Sequence, residues 1–221
     1  EIMMNNNLKI GMEAPDFDAV STMGDISLSS YKGKWIVFFS HPGDFSPICT
    51  TEIIGLAKAD TYFKKINTEL IGISVDSLNS HLAWLYDIYL KTGLIVNFPI
   101  IADQNGVIAR KYGMISNDVS STETVRNIFI IDDKGIIRSI FVYPMNIGRY
   151  IPEILRTVTA LQYSDQNNCM TPANWSPGNP MIVPPPKTFN ALRERNESIN
   201  KNRNGMSWYL SFKNSETKKL E

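Results

Sequence analysis

Cys49 and Cys169 are the only thiols of the chain, and only Cys49 stands in a setting that could make a sulfur reactive. It lies in the stretch Ser40-His41-Pro42-Gly43-Asp44-Phe45-Ser46-Pro47-Ile48-Cys49-Thr50-Thr51-Glu52. Ser46 is a favoured N-cap and Pro47 a favoured first helical residue, so a helix is expected to begin there. Cys49 then occupies the third helical position, among backbone N–H groups with no acceptor inside the helix. The positive end of the helix dipole favours a thiolate, the nucleophilic form of cysteine. Helix position by itself leaves a second reading open, in which Cys49 only fills space in a core. His41 invites a cysteine–histidine protease, but no protease-like phrase surrounds Cys49 and no oxyanion donor is identifiable. His81 falls inside an expected helix and reads as structural.

The elements that must position Cys49 can be read on either side of it. Trp35 to Phe39 is a continuous apolar run, the pattern of a strand buried on both faces. The helix from about 47 to 66 carries Ile53, Leu56, Phe63 and Ile66 on one side, and Leu70 to Val75 reads as a second buried strand. The cysteine-bearing loop therefore sits at the carboxyl end of a strand, where open α/β sheets bind ligands. Met23-Gly24-Asp25 looks like a hairpin turn. A helix is expected over 79–91, capped by Asn79 or Ser80 and ended by Gly93. Phe98 to Ile101 is a short extended segment and 106–112 a short helix. Strands 126–131 and 136–142 flank a turn at Asp132-Asp133-Lys134-Gly135, and 148–162 is an amphipathic helix. Alternating strands and helices followed by a late antiparallel hairpin indicate a layered α/β domain. Composition shifts after about Tyr163, through Pro184-Pro185-Pro186 and a charged stretch at 187–204, to Trp208-Tyr209-Leu210-Ser211-Phe212, which alternates like a strand. The expected organisation is a domain over 1–163 and a small appendage over 164–221 that docks on a second copy of the chain.

Charge excludes little but directs expectation. Lys and Arg number 22 and Asp and Glu 22, which gives no electrostatic case for nucleic acid or an anionic membrane. The longest apolar runs fall far short of the roughly 20 residues that span a bilayer, and no signal-peptide pattern opens the chain. Two widely spaced cysteines form neither a zinc set nor a disulfide framework, which suits a reducing compartment such as the cytoplasm. No metal and no cofactor is expected.

Pro42, Ser46 and Cys49 match the Pro-x-x-x-Thr/Ser-x-x-Cys signature, and they stand within a longer phrase of His-Pro, Asp-Phe and Cys-Thr-Thr-Glu. This stretch resembles the peroxiredoxin family. The resemblance extends through Thr124-Val125-Arg126-Asn127-Ile128-Phe129, Tyr143-Pro144, Gly148-Arg149, Glu153 to Arg156 and Thr171-Pro172-Ala173-Asn174-Trp175, and thins after about Lys187. It is closest to the 1-Cys, peroxiredoxin 6-like subgroup. It implies a thioredoxin-like fold, a central mixed sheet flanked by helices, with an added C-terminal domain and a homodimer. It also implies a peroxidase acting on hydrogen peroxide and alkyl hydroperoxides, with an external thiol of glutathione or thioredoxin type as reductant. In that reading Cys49 attacks the peroxide and becomes a sulfenic acid. Arg126 supplies a permanent cation, Ser46 a hydroxyl for the peroxide oxygens, and Pro42 a dry wall without an N–H. His41 is supporting; Glu52 orients Arg126, with Arg149 as a further partner. The plain alternative for Arg126 is a solvated surface arginine.

Two departures matter. Two-cysteine relatives place a resolving cysteine just before Pro-Ala, whereas Met170-Thr171 intervenes here, so Cys169 reads as non-resolving. Where some relatives carry a lipase-type Gly-x-Ser-x-Gly elbow, this chain has Tyr31-Lys32-Gly33-Lys34-Trp35, which lacks the serine, so no lipase activity by that route is expected. Competing readings are a two-cysteine peroxidase using Cys169, and a redox-switched holdase or binding protein on the same scaffold.

Overall fold

The computed structural model describes residues 8–215, so the outermost parts of both expected domains, 1–7 and 216–221, lie outside it. Backbone contacts divide the chain into two units, 1–151 and 152–221. The sequence reading ends the first domain at 163, whereas the helix Ile151–Asn167 groups with the second unit.

The first unit is built on a seven-stranded sheet. Its strands are β1 (Asp18–Ser21), β2 (Gly24–Ser27), β3 (Trp35–Ser40), β4 (Thr68–Ser74), β5 (Ile100–Ala102), β6 (Arg126–Ile131) and β7 (Ile137–Tyr143), in the spatial order β2-β1-β5-β4-β3-β6-β7. β3, β4 and β5 run parallel, and the flanking pairs are antiparallel. Parallel neighbours need crossovers, supplied by helices α1 (Pro47–Lys65) and α2 (Leu78–Thr92). A short α3 (Val107–Lys111) follows β5. Every residue of β3 is buried, as an apolar run covered on both faces must be. One core cluster of the sheet is aromatic: Tyr112 meets the rings of Phe38 and Phe129 edge-on at 4.9 and 5.3 Å, and its hydroxyl donates to the Pro15 carbonyl at 2.6 Å. Burying each such side chain contributes roughly 1.5–3 kcal/mol.

α1 buries Cys49, Ile53, Leu56 and Phe63, so the cysteine heads the apolar stripe that seats the helix. α2 starts earlier than its sequence suggests. Ser77 is the N-cap, accepting from the Ser80 N–H at 3.2 Å, in place of Asn79 or Ser80. It ends on Gly93, whose φ of 71° only glycine adopts without cost. Gly72 of β4 makes room for the Phe39 ring: a Cβ there would stand 2.9 Å from it.

The second unit holds α4 (Ile151–Asn167), α5 (Phe189–Asn202) and a small sheet of β8 (Met181–Ile182), β9 (Gly205–Ser207) and β10 (Leu210–Lys213), in the order β8-β10-β9. α4 begins three residues after the expected position. Trp208 and Tyr209 form the turn into β10 and not its first residues. The charged stretch becomes α5, which buries only Ile199. Cys169 is packed with Ala160, Trp175 and Met181, with Tyr163 against them.

Candidate active site

Ser46 is the N-cap of α1, with extended φ and ψ of −85° and 148°, and Pro47 is the first helical residue. The Ser46 side chain makes no capping bond. Thr50 occupies the Ser46 carbonyl instead, donating from its N–H at 3.0 Å and its hydroxyl at 2.7 Å. Trp84 of α2 donates to that same Thr50 hydroxyl at 3.2 Å. The Ser46 Oγ is left buried with no hydrogen-bond partner among the described residues, a condition that normally costs about 1–3 kcal/mol unless a ligand relieves it.

Cys49 is fully buried and unpaired. Its Sγ accepts from Arg126 Nη1 at 3.3 Å. Arg126 opens β6 and is itself 3 % exposed, which removes the solvated-surface reading. The Met145 carbonyl holds its Nε at 3.0 Å and its Nη2 at 2.7 Å, so the guanidinium is aimed and not free to swing. Glu52, three residues after Cys49 on α1, accepts from Arg126 Nη1 at 2.8 Å. Its two oxygens also take the Arg149 side chain in a fork, at 2.8 Å from Nε and 2.7 Å from Nη2. The Arg149 backbone N–H adds a further bond at 3.0 Å. Arg149 Nη1 reaches the Ser40 and Asn127 carbonyls, and its guanidinium lies 5.5 Å from the centre of the Phe39 ring. Burial pushes the Glu52 carboxyl upward, but the Arg149 hydrogen bonds, with help from Arg126, hold it below the usual carboxylate range. One carboxylate thus fixes two buried cations, and one of those cations faces the sulfur.

The loop between β3 and α1 has its own anchor. Asp44, with its side chain 1 % exposed, accepts from His41 Nε2 at 2.8 Å and from His81 Nδ1 at 2.7 Å. The Ser80 hydroxyl donates to it at 2.8 Å, and its own N–H donates to Asp76 Oδ2 at 3.1 Å. Burial alone would raise the Asp44 carboxyl, yet the two imidazole hydrogen bonds bring it far below its ordinary value. His41 is fully buried, and burial lowers it despite the Asp44 contact. Its Nδ1 has no partner. Phe45, next in the chain, has φ of 57°, which costs a non-glycine residue roughly 1–2 kcal/mol. Pro42 is half-buried in the same loop. His41, Asp44, Asp76 and His81 are residue types that also bind metals, and their side-chain atoms lie within 4.8 Å of one another. The 2.7–2.8 Å spacings at Asp44 are those of shared protons.

The structure therefore gathers Cys49, Arg126, Glu52 and Arg149 into one bonded cluster, with Ser46 at the head of the same helix and Pro42 and His41 in the adjoining loop. Sequence reasoning took His81 as structural without its partner, and missed Asp44 and the Met145 carbonyl. Asp44 carried a signal, since it stands inside the quoted Asp-Phe phrase. His81 and Met145 carried none, because their role arises only when distant elements meet.

Residues 10–140 match the model of the AhpC/TSA family, and residues 160–198 match the C-terminal domain of 1-Cys peroxiredoxin. A protein named Peroxiredoxin 2 from Caldanaerobacter subterraneus subsp. tengcongensis is 53% identical over 205 residues, covering 93% of this chain and 92% of its own. Peroxiredoxin 2 of Picrophilus torridus is 49% identical over 91% of this chain and 96% of its own. Among solved structures, the yeast mitochondrial 1-Cys peroxiredoxin superposes with a TM-score of 0.80 at 39% identity, covering 94% of this chain and 100% of that one. A cysteine-to-serine mutant of peroxiredoxin 6 from Arenicola marina gives 0.82 at 31% identity, over 96% and 100%.

Proposed function

The chain belongs to the AhpC/TSA family of peroxiredoxins, thiol-dependent peroxidases of thioredoxin fold, and from that premise we propose that Cys49 is its peroxide-reducing residue, working with Arg126, Ser46 and Pro42. The Cys49 thiolate attacks the terminal oxygen of hydrogen peroxide or an alkyl hydroperoxide. An S–O bond forms as the O–O bond breaks, and the departing oxygen leaves as water or an alcohol after taking a proton. Arg126 faces the sulfur with a fixed cation and spreads its field over the oxygens as charge moves outward. The Ser46 hydroxyl accepts from one peroxide oxygen and donates to the other, keeping the three reacting atoms in line. Pro42 adds no competing N–H, and Glu52 and Arg149 hold Arg126 in place, with His41 supporting the loop. The single observation that carries this reading is the 3.3 Å contact between the Arg126 guanidinium and the buried Cys49 sulfur.

Two molecules of an external thiol then return the sulfenic acid to the thiol, leaving one disulfide and one water. The thiol resolving mechanism of the yeast relative runs via glutathione/thioredoxin systems, which supports a reductant of that type here. Cys169 is 4% exposed inside an apolar cluster, which favours packing over resolution. Two unpaired cysteines favour the cytoplasm. Residues 1–163 carry the chemistry, and 164–221 serve assembly of a homodimer. Phe189, Met206 and Tyr209 of the second segment are exposed. Among the described residues no strand pairs with the outer edge of β7, where Ile137 bonds Gly11 and Met12, and such an edge invites pairing with a second copy. Mass spectrometry after one equivalent of peroxide, with a sulfenic-acid trap present, tests the assignment. The adduct is expected on Cys49 in the wild type and in Cys169→Ser, and nowhere in Cys49→Ser. An adduct on Cys169, or a 49–169 crosslink, overturns it.

A further inference from the structure

We propose that Asp44 is a positioning residue for peroxide reduction, its carboxylate clamped between His41 and His81 so that the loop from 41 to 46 presents Pro42 and Ser46 in working geometry beside Cys49. This rests on the peroxidase reading above. Three elements of the first unit converge on Asp44. His41 follows directly on β3, Asp76 follows β4, and Ser80 and His81 lie in the first turn of α2. His81 is tied in turn to β5, its Nε2 lying 3.0 Å from the Ile101 carbonyl. The Ser74 hydroxyl donates to Asp76 at 2.6 Å and holds that acceptor still. The clamp is thus fixed to the carboxyl ends of all three parallel strands. The residue it secures is followed at once by Phe45, held at φ 57° with its side chain 58% exposed. A strained backbone whose own side chain anchors little persists only where its neighbours impose it, and Asp44 is the neighbour with the bonds to do so. Ser46 comes next, and its hydroxyl is buried without a hydrogen-bond partner among the described residues.

If Asp44 acts through loop geometry, losing it must harm peroxide attack more than it harms the thiol itself. The test compares two reactions of Cys49 in the folded protein: oxidation by hydrogen peroxide, which needs an aligned pocket, and alkylation by iodoacetamide, which needs a thiolate and access to it but no alignment of the pocket. For Asp44→Ala the second-order oxidation rate is expected to fall about 100-fold, the scale of an ångström-sized misalignment, with alkylation unchanged or faster. Asp44→Asn keeps the shape and one acceptor, and is expected to recover about 10 of that 100-fold; it also carries the test should the alanine variant fail to fold. Wild-type oxidation rates in the folded variants, or equal losses in both reactions, overturn the inference. A wild-type protein whose Cys49 is not oxidised at all overturns the peroxidase reading instead.

Discussion

Glu52 is the residue on which the charge balance of the site turns. Its carboxylate is the side-chain anion bonded to both Arg126 and Arg149, each of them buried. Removing it leaves two cations without compensation in a dry interior, so Glu52→Ala is expected to cost about 3–5 kcal/mol, read by urea denaturation. The same geometry sets a pH dependence. Glu52 and Asp44 are both held below their ordinary values in the folded protein. Their contribution is complete above the ordinary carboxylate range and is withdrawn as pH falls toward the folded values. His41 is lowered by burial, so the unfolded chain takes up its proton first as acid is added, and that contribution also disappears on acidification, starting near the ordinary imidazole value of about 6.5. All three act in one direction. Unfolding free energy should begin to fall near about pH 6.5 with His41 and fall further below about pH 4.5 as the two carboxylates take up protons in the unfolded chain, and a profile flat from about pH 7 to about pH 3 would show that these groups are not held as described.

Helix starts decide how the side chains above are delivered. The start of α1 was legible because Ser46 and Pro47 are adjacent and local: a cap and a first-turn residue define the boundary without reference to the rest of the fold. The start of α2 was not, since Ser77, Asn79 and Ser80 are all capping types, and only tertiary contact selects among them. Ser80 is drawn into the helix because its hydroxyl serves Asp44, which leaves the cap to Ser77. Ser77→Ala should therefore lower stability by about 1 kcal/mol in chemical denaturation, while Asn79→Ala should change it little. α5 escaped the sequence reading for a different reason: its charges hide a helix whose only buried residue is Ile199. The buried strands β3, β4, β6 and β7, by contrast, were read within two residues, because runs such as 35–39 and 126–131 have one stable use, the middle of a covered sheet.

Across the whole molecule, the motif around Cys49 singles out the atoms proposed to react, whereas the clamps that hold them join residues far apart in the chain, such as Glu52 with Arg149 and Asp44 with His81. No local pattern encodes those pairs. Assembly belongs to the same scale. Val142, on the edge strand β7, is 66% exposed, and Val142→Lys should weaken a dimer built on that edge by setting like charges together, with a smaller mass by light scattering as the readout. An unchanged mass would exclude β7 from the interface. Finally, if Cys49 reacts as proposed, a sulfur with no exposed surface separates its two half-reactions by size. An oxidant as small as hydrogen peroxide can slip into a closed protein, but a tripeptide or protein reductant requires the first turn of α1 to come away. Recycling is then limited by how often that turn breathes, so amide hydrogen exchange at residues 48–50 should track turnover with bulky thiols and be indifferent to peroxide concentration.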